Sequence, residues 1–216
     1  MMKHLFVMLF AVICLFTFTS DILACACCAE AGAYSISTGK PDENVLANLS
    51  AMKFDQKTKL YMDESGWESI KGLQEVAKED EAAEFMWDGK FDLVNQFINK
   101  TWKFTITTPK GKTGTLALPM PTEMVRFAVD THDWEEKGTS PVLYKELRFK
   151  GYVRSGTGIF RSSISKPTTY FLVFQGRGGN CDDVSEFTHW HLEINGKKAD
   201  YAFNGKLQKV EPLKSE

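Results

Sequence analysis

In the second half of the chain, apolar side chains recur at every second position, and this alternation limits the fold more than any other feature. Trp190, Leu192 and Ile194 alternate with His189, His191 and Glu193. Leu143, Leu147, Phe149 and Val153 share one side of an extended run, opposite Glu146, Arg148 and Lys150. Successive side chains of a strand point to opposite faces, so each pattern sends one row into a core and the other to solvent. A helix would scatter the same rows around its circumference.

The first half carries weaker versions of this signal. Trp102, Phe104 and Ile106 alternate with polar residues, Lys110-Gly111 leads to Leu116 and Leu118, and Val125, Phe127 and Val129 alternate again. Tyr170 to Phe174 is apolar at every position, as a strand covered on both faces would be. Turn signals separate the runs. Asp55-Gln56-Lys57-Thr58 reads as a polar connection, and Asp88-Gly89, Asn195-Gly196 and Asn204-Gly205 read as tight turns, the last two enclosing a three-stranded meander. Glu68 to Lys78 and Asp92 to Asn99 are the best helical stretches, the second competing with a strand. The reading is an all-β fold: an antiparallel meander forming an up-and-down barrel or a two-layer sandwich, with one or two short helices. Both architectures produce the same alternation, so the sequence leaves them open. A membrane barrel would need strands apolar outward and polar inward, which the coexisting charged faces and doubly apolar strand do not match.

The N-terminus has a different character. Lys3 and His4 precede an apolar run from Leu5 to Phe18, followed by Ala24-Cys25-Ala26-Cys27-Cys28. A basic start, a short apolar core and a small-residue exit make a secretory signal peptide, and the run is shorter than the roughly 20 residues of a spanning helix. Cutting after Ala26 satisfies the small-x-small rule. Ile22-Leu23-Ala24-Cys25 also resembles a bacterial lipobox, which would lipidate Cys25 and tether the protein to a membrane. The expected organisation is a signal peptide over 1–26, a Cys-rich arm over 27–42, and a single β domain over 43–213. The location is secreted, periplasmic or cell-envelope associated.

Charge and length narrow the function classes. Among 216 residues, 26 Lys plus Arg stand against 28 Asp plus Glu, a formal charge of −2 without the basic excess that nucleic-acid binding calls for. In an oxidising compartment, Cys27 or Cys28 could pair with Cys181. Alternatively, the Cys25-Ala26-Cys27-Cys28 sulfurs could hold a thiophilic metal.

Three stretches bear on chemistry. His189, His191 and Glu193 project together from one strand face, a ligand set that zinc or copper accepts, and His132 could join from elsewhere. The bland alternative is a solvated hairpin face. Arg177, Gly178 and Gly179 follow the apolar strand, and their backbone N–H groups could cradle an anion; the alternative is a long hairpin loop pinned at Cys181. Lys112-Thr113-Gly114 matches one element of serine β-lactam enzymes. Its companion SxxK pattern occurs at Ser37–Lys40, Ser50–Lys53 and Ser163–Lys166, too often to be specific, and no SDN element is present.

GxSxG, HExxH and P-loop patterns are also missing, so the sequence points away from the common recognisable hydrolase and nucleotide chemistries. Three functional expectations remain. The first is an exported, non-catalytic β domain binding a small apolar ligand or a partner. The second is a metal-binding protein or metalloenzyme built on His189, His191 and Glu193. The third is a structural envelope protein.

Overall fold

The computed structural model describes residues 32–61, 70–81, 90–131, 142–179 and 184–208. The expected signal peptide, Cys25, Cys27, Cys28, Cys181, His132 and the expected Asp88-Gly89 turn lie outside these residues. Eleven strands form one antiparallel sheet: β1 (Tyr34–Gly39), β2 (Phe54–Tyr61), β3 (Phe91–Ile98), β4 (Thr101–Thr107), β5 (Thr113–Pro119), β6 (Met124–Asp130), β7 (Leu143–Tyr152), β8 (Ser155–Gly156), β9 (Thr168–Gly178), β10 (Phe187–Gly196) and β11 (Ala199–Leu207). Two helices accompany them, α1 (Glu43–Ala51) and α2 (Gln74–Glu81).

The sheet order is β1-β6-β7-β9-β10-β11-β2-β3-β4-β5-β8. Because β8 continues β7 after Val153 and Arg154, its pairing with β5 closes the sheet on itself. Leu116 lies opposite Gly156 and Ala117 opposite Ser155, and the Arg154 N–H donates to the Ala117 carbonyl at 2.9 Å. The result is an eight-stranded up-and-down barrel of β2, β3, β4, β5, β7–β8, β9, β10 and β11, every neighbour antiparallel. The β6 strand pairs with the first half of β7 and carries β1 on its other side.

The alternation produces this wall because its inward row is large and aromatic. Phe54 meets Phe104, Phe174 and Trp190 with ring centroids 5.5 to 5.9 Å apart, and Trp102 packs on Phe149 at 5.0 Å. Each such ring removes a large apolar area from water, about 1.5–3 kcal/mol per side chain, with about 0.5–1.5 kcal/mol more per favourable ring pair. Charged side chains such as Lys150 and Lys206 stand on the outer face, so the described barrel is mainly apolar inside, with Thr58 and Lys145 as buried exceptions.

One end is covered by α1. Asp42 caps it, accepting the Val45 N–H at 2.8 Å while its other oxygen lies 3.5 Å from Arg126 on β6. Val45 and Leu49 are buried against the barrel. At the opposite end, Ile70, Leu73, Val76 and Ala77 bury beside the β10–β11 hairpin, with Lys71 bridged to Asp200.

Several local expectations change. Residues 92–98 belong to strand β3, because Phe91 and Leu93 bury on one face while Asp92 and Val94 stay outside. Residues 55–58 run through the middle of β2, where Thr58 faces inward and donates to the Asn204 carbonyl at 2.7 Å. Residues 34–39 form edge strand β1 although they read as part of the arm. The β10–β11 hairpin exists, but its turn is Lys197-Lys198, since Gly196 pairs with Ala199. Asn204-Gly205 makes no turn and lies within β11. Gly205 faces the Trp190 indole, whose Nε1 would stand 2.8 Å from any added Cβ. The glycine there makes room for a ring. A tight turn occurs instead at Asn99-Lys100, both at positive φ, between the paired ends of β3 and β4.

Candidate functional site

The outer faces of β2, β11 and β10 form a groove of about 950 Å³. Strand register builds it in cross-strand rows. His189 lies opposite Lys206; His191 opposite Asn204, which faces Lys59; and Glu193 opposite Ala202, which faces Tyr61. At the hairpin end, Asn195 lies opposite Asp200. The small Ala202 leaves a low floor between taller neighbours, and Tyr61 stands half exposed beside it.

His189, His191 and Glu193 do share one face, as the alternation requires. Their hydrogen bonds, however, pair His191 with Glu193 and leave His189 out. His189 Nδ1 lies 2.8 Å from the Thr188 hydroxyl, whereas His191 Nε2 meets Glu193 Oε1 at 3.1 Å and its ring stands edge-on to Tyr61 at 6.4 Å. Alternate residues of one strand are separated by roughly 7 Å along it, so a common metal ion needs side chains that turn toward each other. Among the described residues, no group of three or more His, Cys, Asp or Glu is placed to hold a metal ion.

The groove also contains residues that no motif in the sequence indicated. Asn204 presents a buried side-chain oxygen, Oδ1, with no hydrogen-bond partner among the described residues. A buried acceptor without a donor costs on the order of 1–3 kcal/mol, a cost the amide sheds if it turns its oxygen toward a donor in the groove. The sequence signal at Asn204 points elsewhere, because Asn-Gly reads as a turn. Lys59 and Tyr61 reach the same site only through the β2–β11 pairing.

Arg177 and Gly178 end β9, and Gly179 follows, at the opposite end of the barrel from the Asn195–Asp200 row. There the backbone does receive an anion, but an internal one. The Gly179 N–H donates to Glu186 Oε1 at 3.1 Å, and Glu186 Oε2 pairs with Lys145 Nζ at 2.5 Å. Lys145 is buried and also lies over the Phe187 ring at 5.1 Å. Any Cβ at Gly178 would meet the Glu186 carboxylate at 1.8 Å. This glycine therefore admits the carboxylate that neutralises a buried lysine, where an unpaired charge would be severely destabilising.

A second polar cluster lies on the outer face of β7. Glu146, mostly buried, accepts hydrogen bonds from the Tyr144 hydroxyl, Arg148 Nε and, at 3.3 Å, Gln175 Nε2. Burial, followed by this carboxylate, pushes the Tyr144 phenol well above its ordinary range. Gln175 also borders the groove, linking the two polar regions. The chain matches no family model, no curated protein and no solved structure, so the geometry of this barrel face is what any functional reading must rest on.

Proposed function

We propose that this is an exported, non-catalytic binding protein whose ligand sits in the outer groove of β2, β11 and β10. The observation that carries the reading is a groove of about 950 Å³ beside the buried Asn204 oxygen, which has no hydrogen-bond partner among the described residues. The described barrel interior is packed with rings, which moves the reading from an enclosed apolar ligand to a surface-bound polar one. The lining supplies carboxylates at Glu193, Asp200 and Asp55, amides at Asn195, Asn204 and Gln175, and the half-exposed ring of Tyr61. Acceptors and donors of both kinds around one ring suit a molecule rich in hydroxyl groups with an apolar face, such as a short saccharide. The basic, apolar and small-residue leader supports delivery outside the cytosol.

The test is an NMR titration of the purified protein with a panel of neutral mono- and disaccharides. Amide shifts confined to β2, β11 and β10, and weakened about tenfold or more by Tyr61→Ala or Asn204→Leu, are the expected result. Shifts centred elsewhere, or binding indifferent to both substitutions, would overturn the proposal.

A further inference from the structure

Among the described residues, β1 is paired on one side only, with β6. Natural sheets blunt such an edge with charge, proline, a bulge or a covering element. The segment Tyr34-Ser35-Ile36-Ser37-Thr38-Gly39 carries no charge and no proline, and it keeps an unbroken one-to-one register with β6 from Tyr34 opposite Val129 to Gly39 opposite Met124. Tyr34 and Ile36 remain 68% and 57% exposed, high values for residues of this type in a strand. Their row continues inward through Phe127, 6.3 Å from Tyr34, to Tyr144, again 6.3 Å further on, with the Arg148 guanidinium 4.7 Å above the Phe127 ring.

We propose that β1 is the seam of a two-fold dimer, pairing antiparallel with β1 of a second copy. The register that sets like with like in size has its centre at Ser37. With Ser37 opposite its own symmetry mate, Ile36 faces Thr38, Ser35 faces Gly39 and Tyr34 faces Lys40 of the second copy. Lys40 is exposed, and as the residue before Pro41 it is held extended, which lengthens the pairing by one residue. The seam then sets a lysine ammonium beside a tyrosine ring twice, once at each end, and a β-branched pair twice within. Pro41, which has no N–H to donate, terminates the pairing. A two-fold contact of this kind closes on itself and adds no further copies. It also joins the two aromatic rows into one surface.

Sedimentation of the purified protein between about 1 and 100 μM tests the seam, since a strand-pairing dimer should appear within that range. Hydrogen exchange provides a second reading. A free edge leaves every other β1 amide open to solvent, whereas a paired edge protects them all. At each end of the seam Ile36→Lys brings a second positive charge next to Lys40 of the other copy and should weaken dimerisation about tenfold or more while barrel amides stay protected. Should that variant misfold, Lys40→Glu, in an exposed position, should weaken it several-fold. A monomer at 100 μM, a dimer indifferent to both substitutions, or a monomer whose β1 is protected only by added peptide or vesicles would each overturn the proposal.

Discussion

The two faces of β10 show how differently one strand serves the molecule. Trp190, Leu192 and Ile194 are each almost wholly buried and touch the aromatic column, whereas His191 and Glu193 stand on the wall of the groove and bond mainly to each other. The inward row holds the barrel. The outward row is held by it. Substitutions on the first should therefore read as stability, and those on the second as binding.

The largest effect should come from Trp190→Ala. Its ring packs against Phe54 at 5.5 Å and Phe104 at 5.4 Å, and truncation should cost about 3–5 kcal/mol in urea unfolding, the range for an aromatic removed from a core. A loss below about 1 kcal/mol would mean the interior is loosely packed and the contrast between faces is false.

A smaller effect concerns alkaline pH. Burial raises the phenols of Tyr170 and Tyr201 above their usual value of 10.0. The folded state thus favours the neutral form, so this contribution is fully present below about pH 10 and is lost as pH rises toward the higher folded values. Urea midpoints measured from pH 8 to 11 should fall above pH 10. Tyr170→Phe, which gives up the hydrogen bond to the Pro119 carbonyl, should start lower but lose less over that interval.

The smallest stability effect belongs to the outer row. His191→Ala removes a partly exposed pair and should shift unfolding by about 0.5 kcal/mol or less. The same variant should weaken saccharide binding about tenfold in the titration described above. If it instead lowers stability as much as Trp190→Ala, the groove is structural.

The inward rows of β4, β7, β9 and β10 were legible because their apolar residues are large and strictly alternate. What escaped had physical reasons. The inner row of β1 is Ser35, Ser37 and Gly39, facing Ala128 and Arg126 on β6 beyond the aromatic column, so no apolar period marks it. In β2 the polar Asp55–Thr58 run masks a strand, because Thr58 satisfies its hydroxyl within the wall. Helix α1 has nine residues, too few for a clear apolar period, and Pro41-Asp42 is its start signal. At the groove, the shared face of His189, His191 and Glu193 was readable from spacing alone. Tyr61, Lys59 and Asn204 were not, since only sheet register brings β2 beside β11.

That last pairing has a consequence for how the molecule is made. Phe54 meets Leu207 where the first barrel strand joins the final one, and the Thr58–Asn204 hydrogen bond spans 146 residues. A ribosome must therefore deliver nearly the whole polypeptide before the ring can shut, and contacts so distant along the chain slow folding. Until then the nascent barrel stays open-ended. Should synthesis stop before residue 199, β2 and β10 would each keep a bare margin, and such fragments should clump rather than persist in solution.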